Sequence, residues 1–335
     1  MRFALDDQIA AQPEVVARIV SREMPCLAAS RPVVFTGIGT SLHAGTSGTA
    51  WTWLVSGGRV RGTAVDAHHL ALCYPLTADD QLVVISHRGY ERCPQAALAK
   101  ARAAGAAAIA IVGADALGQD AGATVRTCPD ETSGTFTVSY LSSLAALAGM
   151  VASVSGPQSE RFAAALRAVP EALRQALAVP APVEVARACA SSEPLLLVGF
   201  DIDAVTAYEA ALKIKEGARL WAEAMPTEFA LHGTPAAYRP GMNVITITPG
   251  TGDQGRMATL RALLAELGAR MWTCGEADEQ LPFARTDPWM RPFTSIIPLQ
   301  RLTAELARLR HTDPDTPHGG AGPWRSAMTS LGVVR

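Results

Sequence analysis

The chain has 335 residues, 49% of them apolar and 18% charged, with a formal net charge of −2. That length suggests two domains with cores of their own, and that apolar share excludes a disordered chain. The near-neutral balance gives no electrostatic case for nucleic acid or an anionic membrane, and no apolar run reaches the ~18–20 residues of a membrane span.

Residues 1–29 lack the long apolar core of a signal peptide, so a soluble, cytoplasmic protein is expected. They read as an amphipathic helical lead-in, with Ile9, Val16, Ile19 and Val20 on one face and Gln12-Pro13 as punctuation. A first unit is expected over residues 30–155. Its strands are placed at 32–37, 60–66, 82–86, 107–112 and 124–128. Its helices are placed at 40–54, 93–104 and 137–154, where Leu141, Leu144, Ala145 and Leu147 pack inward. Residues 156–193, with Pro170, Pro180 and Pro182, read as a helical connector. A second unit is expected over 194–311: strand 195–199, helix 204–221, a loop holding Glu228 and His232, strand 243–248, helix 254–267, strand 270–274 and helix 298–310. The Pro- and Gly-rich tail, 312–335, is expected to wrap the surface or a partner subunit. The six cysteines form no CxxC and have no His at zinc-ligand spacing, so they read as reduced, half-buried small hydrophobes.

The two units repeat each other. Pro32-Val-Val-Phe-Thr-Gly37 recurs as Pro194-Leu-Leu-Leu-Val-Gly199, and Leu82-Val-Val-Ile-Ser86 as Val244-Ile-Thr-Ile-Thr248. Gly113 recurs as Gly275; each step is 162 residues, and Gly105 to Gly268 is 163. Strands alternating with helices give a parallel sheet. The fold class is therefore α/β: two doubly wound parallel-sheet units, flavodoxin-like three-layer αβα, related by internal duplication.

Ligands of such sheets bind outside the carboxyl ends of the strands. In the first unit those ends carry Gly37-Ile-Gly39-Thr40-Ser41 and Ser86-His87-Arg88-Gly89. Glycines allow close backbone approach, helix N-terminal amides hold anions, hydroxyls donate, and Arg88 adds positive charge. Together they form a candidate phosphate or carboxylate cradle. Each loop alone is also an ordinary Gly-Ser turn. The second unit has Gly199-Phe-Asp-Ile-Asp203 at the first of these positions, where two carboxylates repel an anion. The anion is therefore assigned to the first unit.

On these stretches, and on Ile9-Ala-Ala-Gln-Pro13, Thr135-Phe-Thr137 and Leu144-Ala-Ala-Leu147, the chain resembles the SIS (sugar isomerase) family. The likeness is to the tandem isomerase part of glucosamine-6-phosphate synthase. The most specific block is Glu209-Ala-Ala-Leu-Lys-Ile-Lys-Glu216, followed by Ala222-Glu-Ala224, Glu228 and His232-Gly233. The resemblance spans nearly the whole chain, and the family's glutaminase domain is expected to be missing.

The resemblance implies that Glu216 shuttles a proton between C1 and C2 of an open-chain sugar phosphate. It also implies that His232 helps to open the ring, contributed across a homodimer interface. Lys213, one turn before Glu216, is expected to hold the carboxylate or an enediolate. Gly39, Thr40, Ser41, Ser86, His87, Arg88, Thr132, Ser133 and Arg325 are the implied substrate-binding set, with no metal and no cofactor. Lys213 and Glu216 also read as an ordinary helix-surface pair, and His232 as a turn histidine.

Three departures stand out. The family's second loop usually reads Ser-x-Ser-Gly-x-Thr, whereas Ser86-His-Arg-Gly-Tyr-Glu91 has Arg88 and Glu91 in place of its second Ser and its Thr. Gly134 stands where a lysine is common. Arg325 falls near the family's C-terminal lysine and cannot replace an amine that exchanges protons. The expected function is a phosphosugar aldose–ketose isomerase or deaminase. The alternatives are a non-catalytic sugar-phosphate sensor and an isomerase of an atypical sugar derivative. A nucleotide-binding α/β protein lacks its glycine motifs here, and His68 and His69 receive no role.

Overall fold

The computed structural model describes residues 1–317 and 323–331. α1 (Ala4–Val20) comes first and runs straight through Pro13. Proline has no N–H for the carbonyl four residues back, yet the Ile9 carbonyl is not left open: the Gln12 side-chain amide donates to it at 3.0 Å. The expected break at Gln12-Pro13 is therefore absent, and Ile9, Val16 and Ile19 are buried on one face.

The first unit follows, strands and helices alternating as far as β4: β1 (Val33–Gly37), α2 (Thr40–Ser56), β2 (Gly62–Asp66), α3 (Ala67–Leu72), β3 (Gln81–Ile85), α4 (Arg92–Ala104), β4 (Ala107–Val112), β5 (Ala123–Arg126) and α5 (Val138–Ala152). All its strand pairs are parallel, in the order β2-β1-β3-β4-β5. α6 (Ser159–Ala178) and α7 (Val183–Cys189) lead on. The second unit comprises β6 (Leu195–Gly199), α8 (Ile202–Ala218), β7 (Ala222–Pro226), α9 (Thr227–Leu231), β8 (Asn243–Ile247), α10 (Arg256–Glu266), β9 (Arg270–Glu276), β10 (Leu281–Phe283) and α11 (Arg291–Arg310). Its order, read from β7, is β7-β6-β8-β9-β10, which is that of the first sheet. α12 (Pro323–Ser330) ends the described chain.

Several elements differ from the sequence expectation, among them α3, a helix the sequence reading did not place. The segment after α8 is not a loop but the edge strand β7 and the short helix α9. Ala222-Glu-Ala-Met-Pro226 has weak strand propensity, and pairing with β6 supplies what propensity does not. β10 escaped notice because three residues carry no periodicity. α11 begins at Arg291, seven residues before Pro298, because burial of Phe293, Ile296 and Ile297 outweighs the proline inside it. Cys26 and Cys73 are exposed rather than half-buried, while Cys128, Cys189 and Cys274 are buried.

Alternation along the strands explains the layering. Val33, Phe35, Val83 and Ile85 join one large core with Leu195, Leu197, Ile245 and Ile247 of the second sheet. Their neighbours Val34, Leu82 and Val84, and Leu196, Val198 and Val244, fill separate outer clusters. Successive strand residues face opposite ways, so each sheet gives one face to a shared central layer of helices. α8 lies in that layer and packs against both α11 and α2. No helix among the described residues is long and apolar enough to cross a membrane.

Candidate active site

In both sheets the chain crosses from one side of its first strand to the other, which opens a crevice at the carboxyl edge. In the first sheet that crevice lies between the loops after β1 and β3. Gly37 is demanded there by close approach, since a Cβ would stand 2.5 Å from that of Ser41. Gly39 then takes φ 55°, ψ −123° at the start of α2. Asp201 repeats this at φ 52°, ψ −127° at the start of α8, so the duplication holds to the level of single dihedrals.

α8 brings three charged residues of one helical face to this crevice. Glu209 is fully buried. It accepts from Thr40 Oγ1 at 3.0 Å, and its other oxygen lies 2.7 Å from His43 Nδ1. Lys213 Nζ is 3.7 Å from Glu209 and donates to Glu216 Oε2 at 2.5 Å. Positions 209, 213 and 216 follow helical spacing, so the three form one row. Burial opposes the charge on Glu209, but Lys213, His43 and Thr40 outweigh it and hold the carboxyl below its ordinary value. Burial likewise opposes the Lys213 ammonium, and Glu216, Glu209 and Glu131 outweigh it, so its pKa is raised. Lys213 is only 2% exposed, whereas Glu216 is 26% exposed and forms the accessible end of the row. The row is thus a buried, charge-balanced anchor carrying one open carboxylate.

The loops around it are more self-contained than their sequence suggests. Ser86 Oγ donates to the Glu91 carboxylate. Gly89 gives its carbonyl to Gln95 and Gln119. The Arg88 guanidinium lies over Phe136, 5.2 Å from the ring centroid. His87 packs edge-on against the same ring, with Nε2 3.6 Å from Asp130. Burial keeps the His87 pKa below its ordinary value, although Glu131 and Asp130 pull the other way. In the fourth loop the Glu131 carboxylate accepts the N–H groups of Thr137, Val138 and Ser139 and so caps α5. Thr132 is exposed, while Ser133 is buried with its hydroxyl on the Pro314 carbonyl at 3.2 Å. Asp315 accepts from Ala4 and Leu5 at the start of α1, so residues 312–317 tie this loop to the N-terminus.

Residues 26–153 match the family described as SIS domain. The first unit is a SIS domain. It is 27% identical over 355 aligned residues to the glutamine–fructose-6-phosphate aminotransferase (isomerizing) of Leifsonia xyli subsp. xyli, covering 92% of this chain and 56% of that protein. Across such curated relatives the chain spans between about a quarter and just over half of their length. Its fold matches the C-terminal domain of glucosamine-fructose-6-phosphate aminotransferase from Francisella tularensis, with TM-score 0.83, 18% identity, and 94% and 98% of the two chains covered. It also matches glucosamine-6-phosphate deaminase from Thermotoga maritima, with TM-score 0.74, 19% identity, and 94% and 97% covered.

This SIS-domain protein does not bring His232 to Glu216 within one chain. α8 starts at the carboxyl edge of the second sheet, and Glu216 lies 14 residues along it, about 21 Å away at ~1.5 Å per residue. His232 ends α9, which starts at that same carboxyl edge after β7. Its ring is 75% exposed and 3.0 Å from Glu228, which also pairs with Arg256. Arg325 lies on α12, and its side chain is outside the described residues.

The corresponding crevice of the second unit is filled by the chain's own cation. Arg291, 3% exposed, pairs with Asp203 at 3.0 Å and donates to the Thr248 carbonyl. It also reaches Glu276 at 3.4 Å. Burial pushes the Asp203 carboxyl above its ordinary value even with Arg291 beside it. Arg291→Met is therefore expected to cost about 3–5 kcal/mol by stranding a buried acid. Thermal unfolding checks this, with ligand affinity at the first unit unchanged.

Two residues of the site were not singled out from sequence. Glu209 sits inside the α8 block, and its i,i+4 spacing to Lys213 was a readable signal. His43 is one turn into α2 and had none, because its partner is 166 residues away.

Proposed function

We propose that this protein is an isomerase or deaminase that moves a proton between C1 and C2 of an open-chain sugar, either a sugar phosphate or a related derivative. The observation that carries the proposal is the Glu209–Lys213–Glu216 row, with its buried anchor and one open carboxylate at the crevice of the first unit. Glu216 takes the proton from C2 of the aldose, and the bonding electrons pass to the carbonyl oxygen. The resulting enediolate faces the Lys213 ammonium; the C2 hydroxyl proton passes to O1, and Glu216 returns its proton, partly exchanged with solvent, to C1, leaving the carbonyl at C2. Gly39, Thr40 and Ser41 orient the chain of the sugar, with Thr40 also bridging to Glu209. The similar proteins include an isomerizing aminotransferase and a deaminase, activities of this chemical class.

Ring opening is assigned to His232 of the partner subunit in a homodimer, because the chain's own His232 and Glu216 lie at opposite edges of the second sheet. The test is complementation. Glu216→Gln and His232→Ala proteins are each expected to be inactive, and co-expression is expected to restore about a quarter of wild-type proton exchange, at C2 of the glucosamine substrates and at C1 of the fructose ones. Half the dimers are then mixed, and each mixed dimer has one intact site. Exchange read by NMR with fructose-6-phosphate, glucosamine-6-phosphate and the free sugars checks this. No recovery removes the cross-subunit assignment, and binding without exchange makes the protein a sensor.

A further inference from the structure

The loop after β3 carries a carboxylate, Glu91, that has no ion-pair partner among the described residues. Ser86 Oγ donates to Oε2 of Glu91, and Oε1 of Glu91 has no hydrogen bond among the described residues. Glu91 precedes α4 yet does not cap it with its side chain. Neither neighbouring cation pairs with Glu91 among the described residues: the Arg88 guanidinium rests on Phe136, and Arg92, the next residue, is exposed at the start of α4. His87, its side chain 8% exposed, packs edge-on against Phe136 with neither ring nitrogen hydrogen-bonded, and the carboxylate 3.6 Å from its Nε2 is Asp130 rather than Glu91. Glu91 is half-buried, so it is reachable from the crevice. β1 and β3 are neighbours, which sets this carboxylate beside Gly39–Ser41 at the same edge to which α8 delivers Glu216.

A phosphate monoester here would bring nearly two negative charges against a carboxylate that already occupies the Ser86 hydroxyl. Like charges at contact in a partly desolvated crevice repel strongly. A sugar hydroxyl has the opposite character: it donates to Oε1 of Glu91 and carries no charge.

We propose that Ser86 and Glu91 form a subsite for the terminal hydroxyl of an unphosphorylated sugar, and that Glu91 is the residue that selects against the phosphate ester. This rests on the isomerase or deaminase reading for its substrate frame, but it concerns the end of the sugar away from C1 and C2.

The experiment is calorimetric titration of the full-length protein with fructose, fructose-6-phosphate, glucosamine and glucosamine-6-phosphate at fixed ionic strength. The wild type is expected to bind each free sugar at least about tenfold more tightly than its 6-phosphate, and Glu91→Thr to reverse the preference by a similar factor. Glu91→Gln, which keeps the size and hydrogen-bonding reach, serves if the threonine variant does not fold, with the same reversal expected. A wild-type preference for the phosphates, a preference unchanged by both variants, or binding of none of the four sugars overturns the proposal. Proton exchange on the bound sugar, at C2 of the glucosamine ligands and at C1 of the fructose ones, separates the two readings. Exchange with a phosphate preference overturns the subsite alone, and a free-sugar preference without exchange overturns the isomerase alone.

Discussion

Glu216→Gln is expected to lower turnover by about 10²–10⁴-fold, the usual contribution of a positioned general base. Substrate affinity should change little. The amide keeps the size of the side chain and still accepts from Lys213, so the row stays assembled. What it loses is the lone pair that takes a proton from carbon. Because Glu216 is the exposed end of the row, at 26%, the melting midpoint should hardly move. Steady-state kinetics alongside thermal unfolding reads both quantities. Unchanged turnover with every accepted sugar would remove Glu216 from the mechanism.

Lys213→Met should act on stability as well as on activity. Methionine matches the length of the lysine stem, so packing is preserved and the charge alone is removed. Glu209, fully buried, then keeps only Thr40 and His43. Stranding one member of a buried pair costs about 3–5 kcal/mol, a fall in midpoint on the order of 5–15 °C. The double variant Lys213→Met/Glu209→Gln should recover most of that stability and none of the turnover, since it removes the stranded charge without restoring the ammonium. If the double variant melts as low as the single one, the loss lies in packing and not in charge. The same pair has a pH signature. Glu209 is held below its ordinary 4.5, so its contribution is present above that pH and is lost as pH falls through the folded value. Lys213 is raised above 10.5, so its contribution is present below that pH and is lost as pH rises through the folded value. The wild type should lose midpoint at both extremes relative to the double variant, and hold its margin between them.

The second unit shows what duplication allows. Gly39 and Asp201 share one backbone geometry, and both sheets share one strand order. Yet one crevice holds loops open to a ligand and the other holds Arg291. A single cation, buried against Asp203 and Glu276, turns a potential site into structure. In exchange, α8 of that unit supplies Glu209, Lys213 and Glu216 to the crevice of the first.

Much of this was legible in the residues. Buried strands such as Leu195–Gly199 are apolar runs ended by glycine, and an Ala-rich helix such as α4 ends at Gly105 in the left-handed region. The 209–213–216 row is visible as helical spacing. The failures have a common cause. β7 takes its stability from pairing with β6, and α1 tolerates Pro13 because a glutamine side chain replaces the missing donor. Neither effect is a property of local propensity.

By itself the sequence determined the α/β class, the duplication and the order of elements, because these follow from periodicities and turn residues within a few positions of one another. It also determined which charges share a face of α8. Only the tertiary structure decided that Glu209 is sealed beneath Thr40 and His43, 169 and 166 residues distant. Only it decided that Ser133 is spent on Pro314, that Arg291 closes the second crevice, and that His232 lies at the opposite edge of its sheet from Glu216. Burial and choice of partner arise where distant segments pack, and packing is a property of the whole chain rather than of any stretch of it.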